Sequence, residues 1–204
     1  LISRIGVKGA TNAVLEFGGP VIEAMSMEAR LTITNMAVEA GATSGMMMFD
    51  QTTADYLWPF YDREGDEFTR RESLPGNIGP MVNSDSDAAY DQVIELDVSS
   101  MVPVITDQYS PGKVVRVSSL AGKPVNQVYI GSCTNGRLED LRIAASVLRL
   151  NGGKVAKNVR CIIVPATQLI YGLALKDGLI ETFLNAGCFV SGPTCGACLG
   201  MSCG

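Results

Sequence analysis

Three short apolar runs alternate with helical segments in the last third of the chain, and this alternation constrains the fold more than any other feature. Gln127-Val-Tyr-Ile130, Cys161-Ile-Ile-Val164 and Cys188-Phe-Val190 read as buried strands bounded by turn residues. Between the first two, Leu138–Leu150 carries apolar residues at 138, 141, 144, 145 and 148, the stripe of an amphipathic helix. Thr167 can cap a second helix that runs through Leu175, and a short one follows Gly178. Strand, helix, strand, helix, strand predicts an α/β fold: a parallel sheet with right-handed crossovers. Ligands of such sheets gather at the carboxyl ends of the strands. Cys133 and Cys195 follow the first and third strands, so both are expected on that edge.

The preceding residues are less regular. Pro20 suits a first helical turn. Leu31–Ala40 has apolar residues at 31, 33, 36, 37 and 40 and predicts one helix, ended by Gly41 at the C′ position. Gly45–Phe49 reads as a buried strand, and Thr52–Trp58 as a short helix stopped by Pro59. Residues 60–85 are polar and dotted with Gly and Pro, a loop with a covering or interface role. Gln92–Asp97 alternates like a half-buried strand. Residues 101–124 are rich in turn signals, which places a boundary between a domain at 1–122 and another at 123–204.

Of the 204 residues, 47% are hydrophobic and 18% charged, enough apolar surface for a sizeable core. The net charge of −5 and the lack of a basic run argue against nucleic acid as a partner. No apolar run reaches the roughly 18 residues of a membrane span, and the N-terminus lacks the apolar centre of a signal peptide. Four of the six cysteines crowd between Cys188 and Cys203, unlike a disulfide framework, so a reducing cytoplasmic location is expected. There is no histidine and no initiator Met, and the sequence stops inside a Gly/Cys-rich turn. An internal piece of a longer protein is expected.

The chemistry concentrates in two turns, Gly131-Ser-Cys-Thr-Asn-Gly-Arg137 and Pro193-Thr-Cys-Gly-Ala-Cys-Leu-Gly200. Three thiolates from Cys133, Cys195 and Cys198 can hold a cubane iron–sulfur cluster with one iron open, a Lewis acid. Cys161 and Cys188 lie inside strands and read as packing residues. A redox pair of Cys195 and Cys198 would leave Cys133 unexplained. A structural zinc would need Cys203 or Cys188 as its fourth ligand. Asn35 and Glu39, four apart, share one face of the predicted helix, and their apolar neighbours suggest that it is partly buried. A solvated Glu with a packing Asn is the plain alternative. Glu139 and Asp140 suit a helix N-terminus. Arg137 could bind a substrate carboxylate or make a structural ion pair. Met46–Met48 reads as core.

The two cysteine turns, together with Ser26-Met-Glu-Ala-Arg-Leu-Thr-Ile-Thr-Asn-Met-Ala-Val-Glu-Ala-Gly-Ala42, resemble the aconitase superfamily along nearly the whole chain. Gly136-Arg137 and Ser26-Met-Glu28 look most like its branch of isopropylmalate dehydratase and homoaconitase large subunits. The resemblance implies α/β/α three-layer domains with mainly parallel sheets. It implies a hydro-lyase that isomerises 2- and 3-isopropylmalate by dehydration and rehydration in leucine biosynthesis. Homoaconitase, aconitase and dimethylmalate dehydratase share that mechanism on related hydroxy-di- and tricarboxylates. By the same resemblance Cys133, Cys195 and Cys198 would hold a [4Fe–4S] cluster, Glu39 would lie near the substrate hydroxyl, and Asn35 would orient cluster or substrate. A small swivelling-domain subunit would be the partner and would carry the serine base. The family's N-terminal Asp and His residues and its Asn-Arg segment beyond the cysteine pair have no counterpart here, and Thr34 replaces a frequent Cys. Alone the chain is expected not to turn over. Its site can then stand empty, with Cys133 apart from the other two. A non-catalytic iron–sulfur or zinc module is the reading from a different class.

Overall fold

The computed structural model describes residues 1–61, 83–107 and 109–200. The chain divides into two units, Leu1–Ser119 and Leu120–Gly204.

The first unit opens with α1 (Ile2–Ile5), then β1 (Val14–Phe17), α2 (Pro20–Glu23) and α3 (Met27–Asn35). Pro20 starts α2 as its composition suggests. Ser26 caps α3 by accepting from the Ala29 N–H at 3.2 Å. The single helix expected over Leu31–Ala40 is instead α3 followed by a 3₁₀ turn, Met36–Ala40, which ends at Gly41 in the left-handed conformation. Next comes β2 (Ser44–Met47), which pairs in parallel with β1, Leu15 opposite Gly45. β1 carries only four residues, too few for its alternation to stand out in the sequence.

Helix α4 (Gln51–Tyr61) runs through Pro59 rather than stopping before it. A proline forfeits one i→i−4 bond, and here that loss falls in the helix's last turn. The loop expected over 60–85 lies mostly outside the described residues. Gln92–Asp97 forms no strand: Val93 is 73% exposed, and no strand among the described residues pairs with the segment. The turn-rich stretch after it contains a hairpin, β3 (Val104–Thr106) against β4 (Val114–Arg116), antiparallel.

The core of this unit is made of small residues, Ala10, Ala37, Ala40 and Ala42, backed by Ile2, Ile5 and Leu15. Its polar anchor is Arg30, only 3% exposed. The guanidinium donates to Asp50 Oδ1 at 2.7 Å and to the carbonyls of Ile22 and Glu23 at 3.1 and 2.9 Å. Asp50 also accepts from the Thr53 N–H and hydroxyl, at 3.0 and 3.1 Å, at the head of α4. One buried cation thus ties α2, α3 and α4 together. Its partners hold the Asp50 carboxyl near 2, the Arg30 hydrogen bond being the largest cause, with burial opposing it.

The second unit follows the expected alternation: β5 (Gln127–Gly131), α5 (Leu138–Leu150), β6 (Arg160–Val164), α6 (Gln168–Lys176), α7 (Leu179–Ala186) and β7 (Phe189–Val190). The sheet order is β5-β6-β7, all parallel. The Thr167 hydroxyl accepts from Ile170 N–H at 3.2 Å and caps α6. The core joins Leu141, Ala145, Cys161, Ile163, Ile170, Phe183 and Cys188, with Val128, Ile130 and Val190 packed against it. Full burial of a Phe, Leu or Ile side chain contributes roughly 1.5–3 kcal/mol, and Phe183, Leu141 and Ile163 are wholly buried. No helix among the described residues is long and apolar enough to cross a membrane.

Candidate metal centre

The register fixes which side of the sheet each residue takes. Val128, Ile130, Cys161, Ile163 and Val190 share the helix-side core. Side chains alternate along a strand, so Tyr129 and its pairing partner Ile162 face the other side.

Beyond β5 the chain turns sharply back onto the end of β6. Gly131 and Ser132 have φ of 109° and 130°, and Gly136 has φ of 85°. Ser132 N–H donates to the Val164 carbonyl at 3.2 Å, and Ala166 N–H donates to the Gly136 carbonyl at 3.0 Å. A methyl group on Gly131 or Gly136 would overlap the Val164 carbonyl oxygen, so glycine is required at both positions. Ser132 is not a glycine, yet it holds a positive φ while buried, and backbone strain of this kind concentrates at functional sites. The turn leaves Cys133 exposed.

The second turn follows β7. Ser191 N–H extends the pairing to Ile163 O at 2.9 Å. Thr194 Oγ1 then accepts from Gly196 N–H at 3.1 Å, and Gly196–Leu199 forms a 3₁₀ turn. Both cysteine turns therefore leave the carboxyl edge of one parallel sheet, as the alternation predicts. They bring Cys133 Sγ to 4.0 Å from Cys195 Sγ. Cys133 does not stand apart from Cys195, contrary to expectation, because β6 bridges the two parent strands. The gap is far too long for a disulfide bond of about 2.05 Å. The hydrogen bond to Cys133 and then its charge push the Cys195 thiol above the usual cysteine range, with smaller contributions from burial and Cys198.

Cys198 is exposed in the 3₁₀ turn. Among the described residues no three His, Cys, Asp or Glu side chains gather closely enough to hold one metal ion, so the structure joins two of the three expected thiols and leaves Cys198 outside the pair. Three soft thiol donors, none of them buried and none bonded to another, nonetheless fit an iron–sulfur cluster in donor chemistry. Cys188 is unavailable as a fourth ligand. It lies buried against Cys161 in the helix-side core, and burial, followed by the Cys161 hydrogen bond, pushes its thiol up to about 12. Cys203 lies outside the described residues.

Arg137 folds over the first turn, its Nη2 donating to the Cys133 carbonyl at 3.2 Å. Its Nε is buried and has no hydrogen-bond partner among the described residues. Asp140 accepts from the Arg137 backbone N–H at 3.0 Å and so serves the α5 terminus, as its position suggests.

Asn35 and Glu39 differ from expectation. Asn35 ends α3 and Glu39 lies in the following 3₁₀ turn, and both are exposed rather than partly buried. A 3₁₀ helix advances three residues per turn, so positions four apart do not stack on one face there. The Thr34 hydroxyl donates back to the Arg30 and Leu31 carbonyls, both at 3.2 Å. Tyr129 escaped sequence reasoning: its hydroxyl lies against the backbone of Gly196, between the paired cysteines of the second turn.

A family model described as "Aconitase family (aconitate hydratase)" matches residues 1–124 and 118–204. The chain is 54% identical over all 204 residues to a protein named 3-isopropylmalate dehydratase large subunit from Geobacter sulfurreducens, spanning 46% of that relative's length. The large subunit from Citrifermentans bemidjiense is 53% identical, again over the whole chain and 46% of the relative. A large subunit 2 from Rubrobacter xylanophilus is 46% identical over 200 residues, 98% of this chain and 43% of that one. The chain thus spans about half the length of these relatives. With both cysteine turns on one edge of a parallel α/β sheet and the family pattern running from end to end, this chain belongs to the aconitase family.

Proposed function

We propose that this chain is part of the large subunit of a 3-isopropylmalate dehydratase, a cytoplasmic hydro-lyase of leucine biosynthesis. The observation that carries the reading is the 54% identity, over every residue, to a large subunit of that name. We read the two units as the two partial family domains, with their boundary near 122. In this reading Cys133, Cys195 and Cys198 hold a [4Fe–4S] cluster. Such a cluster, when bound, supplies an open Lewis-acidic iron that makes a substrate hydroxyl a better leaving group.

The chain's own residues do the rest. The glycine turns present the thiols on one edge. Glu39, exposed on its 3₁₀ turn, exchanges a proton at the substrate hydroxyl, and Asn35 orients the substrate. Arg137 keeps one donor on the Cys133 carbonyl and offers its other terminal guanidinium N–H groups to a substrate carboxylate. A small subunit completes the enzyme.

Anaerobic reconstitution of the full chain with iron and sulfide tests the assignment, read by iron count and visible charge-transfer absorbance. Uptake is expected in wild type and Cys161→Ser and lost in Cys133→Ser and Cys195→Ser. Undiminished uptake in Cys133→Ser would overturn it.

A further inference from the structure

We infer that Tyr129 is a positioning residue that sets the spacing between the two cysteine turns. The inference deepens the reading of Cys133 and Cys195 as parts of one centre and rests on it.

Tyr129 lies mid-strand in β5, four residues before Cys133. It faces away from the helix-side core, on the side of the sheet where Ile162 is fully buried. Gly196, the residue after Cys195, is itself buried and has φ of 53°. A methyl group on Gly196 would overlap the Tyr129 hydroxyl oxygen and lie 3.3 Å from Cζ. The phenol therefore fills the space that a side chain at Gly196 would need.

One rigid strand thus addresses both thiols. Its end carries Cys133, and its tyrosine supports the backbone between Cys195 and Cys198. A tyrosine has two side-chain torsions, so a packed ring fixes a distance with little freedom left over. The 4.0 Å separation of the two Sγ atoms is the distance it fixes.

Phenylarsine oxide reports thiol spacing without iron. Its As=O bond is replaced by two As–S bonds to neighbouring thiols, one water leaves, and no atom changes oxidation state. The full chain carrying Cys198→Ser, reduced and metal-free, is loaded with the arsenical and titrated with a monothiol competitor. Loading is expected to fall in Cys133→Ser. Tyr129→Leu is expected to release the arsenical at roughly a tenfold lower competitor concentration, because the effective concentration of the second thiol falls. Its far-UV circular dichroism stays that of the parent, and Tyr129→Phe, which keeps the ring, stays close to the parent in both measurements. Retention in Tyr129→Leu equal to the parent would overturn the inference.

Should Tyr129→Leu fail to fold, a double-mutant cycle decides. Gly196→Ala is expected to weaken retention more in the parent than in the Tyr129→Phe background, where the overlapping oxygen is gone. Equal weakening in the two backgrounds would overturn the inference. Tight arsenical retention with no iron–sulfide uptake would instead count against the cluster assignment and leave the spacing role standing.

Discussion

Gly136 and Gly152 have nearly the same positive φ, 85° and 86°, in different surroundings, which makes them a useful pair for substitution. Around Gly152 nothing lies within 4 Å of an added methyl group, whereas at Gly136 that group would overlap the Val164 carbonyl oxygen and stand 2.8 Å from Gly131 Cα. Gly152→Ala therefore suffers only the left-handed penalty, about 1–2 kcal/mol. Gly136→Ala suffers the same penalty and must also move backbone. Val164 is fully buried and cannot retreat. The turn must lift instead, which breaks the Ser132 N–H bond to Val164 O and the Ala166 N–H bond to Gly136 O. Two backbone hydrogen bonds contribute about 0.5–1.5 kcal/mol each. The expected losses are thus about 1–2 kcal/mol for Gly152→Ala and about 2–5 kcal/mol for Gly136→Ala. In a domain of this size each kcal/mol lowers Tm by roughly 4–8 °C, so thermal melts separate the two variants. Amide hydrogen exchange locates the damage: Ser132 and Ala166 should lose protection in Gly136→Ala and keep it in Gly152→Ala. Equal melts with unchanged protection at those two amides would refute the steric argument.

Acid stability should depend on Asp50. Its folded carboxyl lies near 2 against an ordinary 3.8, so its stabilisation is present above 3.8 and is lost as pH falls toward 2. Asp50 is 35% exposed, which screens the effect to about 1 kcal/mol. Unfolding free energies of wild type should drop by that amount between about pH 5 and pH 2.5 relative to Asp50→Asn, and parallel acid limbs would count against the Arg30 hub. At about pH 8, iodoacetamide followed by peptide mass analysis should label Cys133 and Cys198 and spare Cys161 and Cys188. The Cys188 thiol, pushed up to about 12 by burial, stays protonated there, and rapid labelling of Cys188 would contradict its placement in the core.

What was legible in the sequence follows the range of the forces involved. The Leu138–Leu150 stripe, the Thr167 cap and the three apolar runs are local signals, and each produced its element close to the expected bounds. Elements whose evidence lies elsewhere in the chain were harder to read. β1 is four residues long and gains its strand character from β2, thirty residues on. Gln92–Asp97 has the alternation of a strand, but alternation needs a paired edge to become one, and no described segment offers it. Arg30 carries no local sign of burial, and becomes a buried anchor only because Asp50 and two carbonyls close around it.

The candidate site divides along the same line. That Cys133 and Cys195 share one sheet edge follows from topology alone, since each trails a strand of the same parallel sheet, and the 4.0 Å contact agrees. The face assigned to Asn35 and Glu39 rested on unbroken α-helical geometry, and a single switch to a 3₁₀ turn at Met36 rotates them apart. No pattern could have disclosed Tyr129: it is one apolar-run residue among several, and only the absence of a side chain at Gly196, sixty-seven positions later, gives its ring a place to go. The glycines of such turns carry two kinds of information. Their conformation marks a turn, which a sequence reveals. The atom that occupies the vacated space identifies what the turn is held against, and that requires the fold.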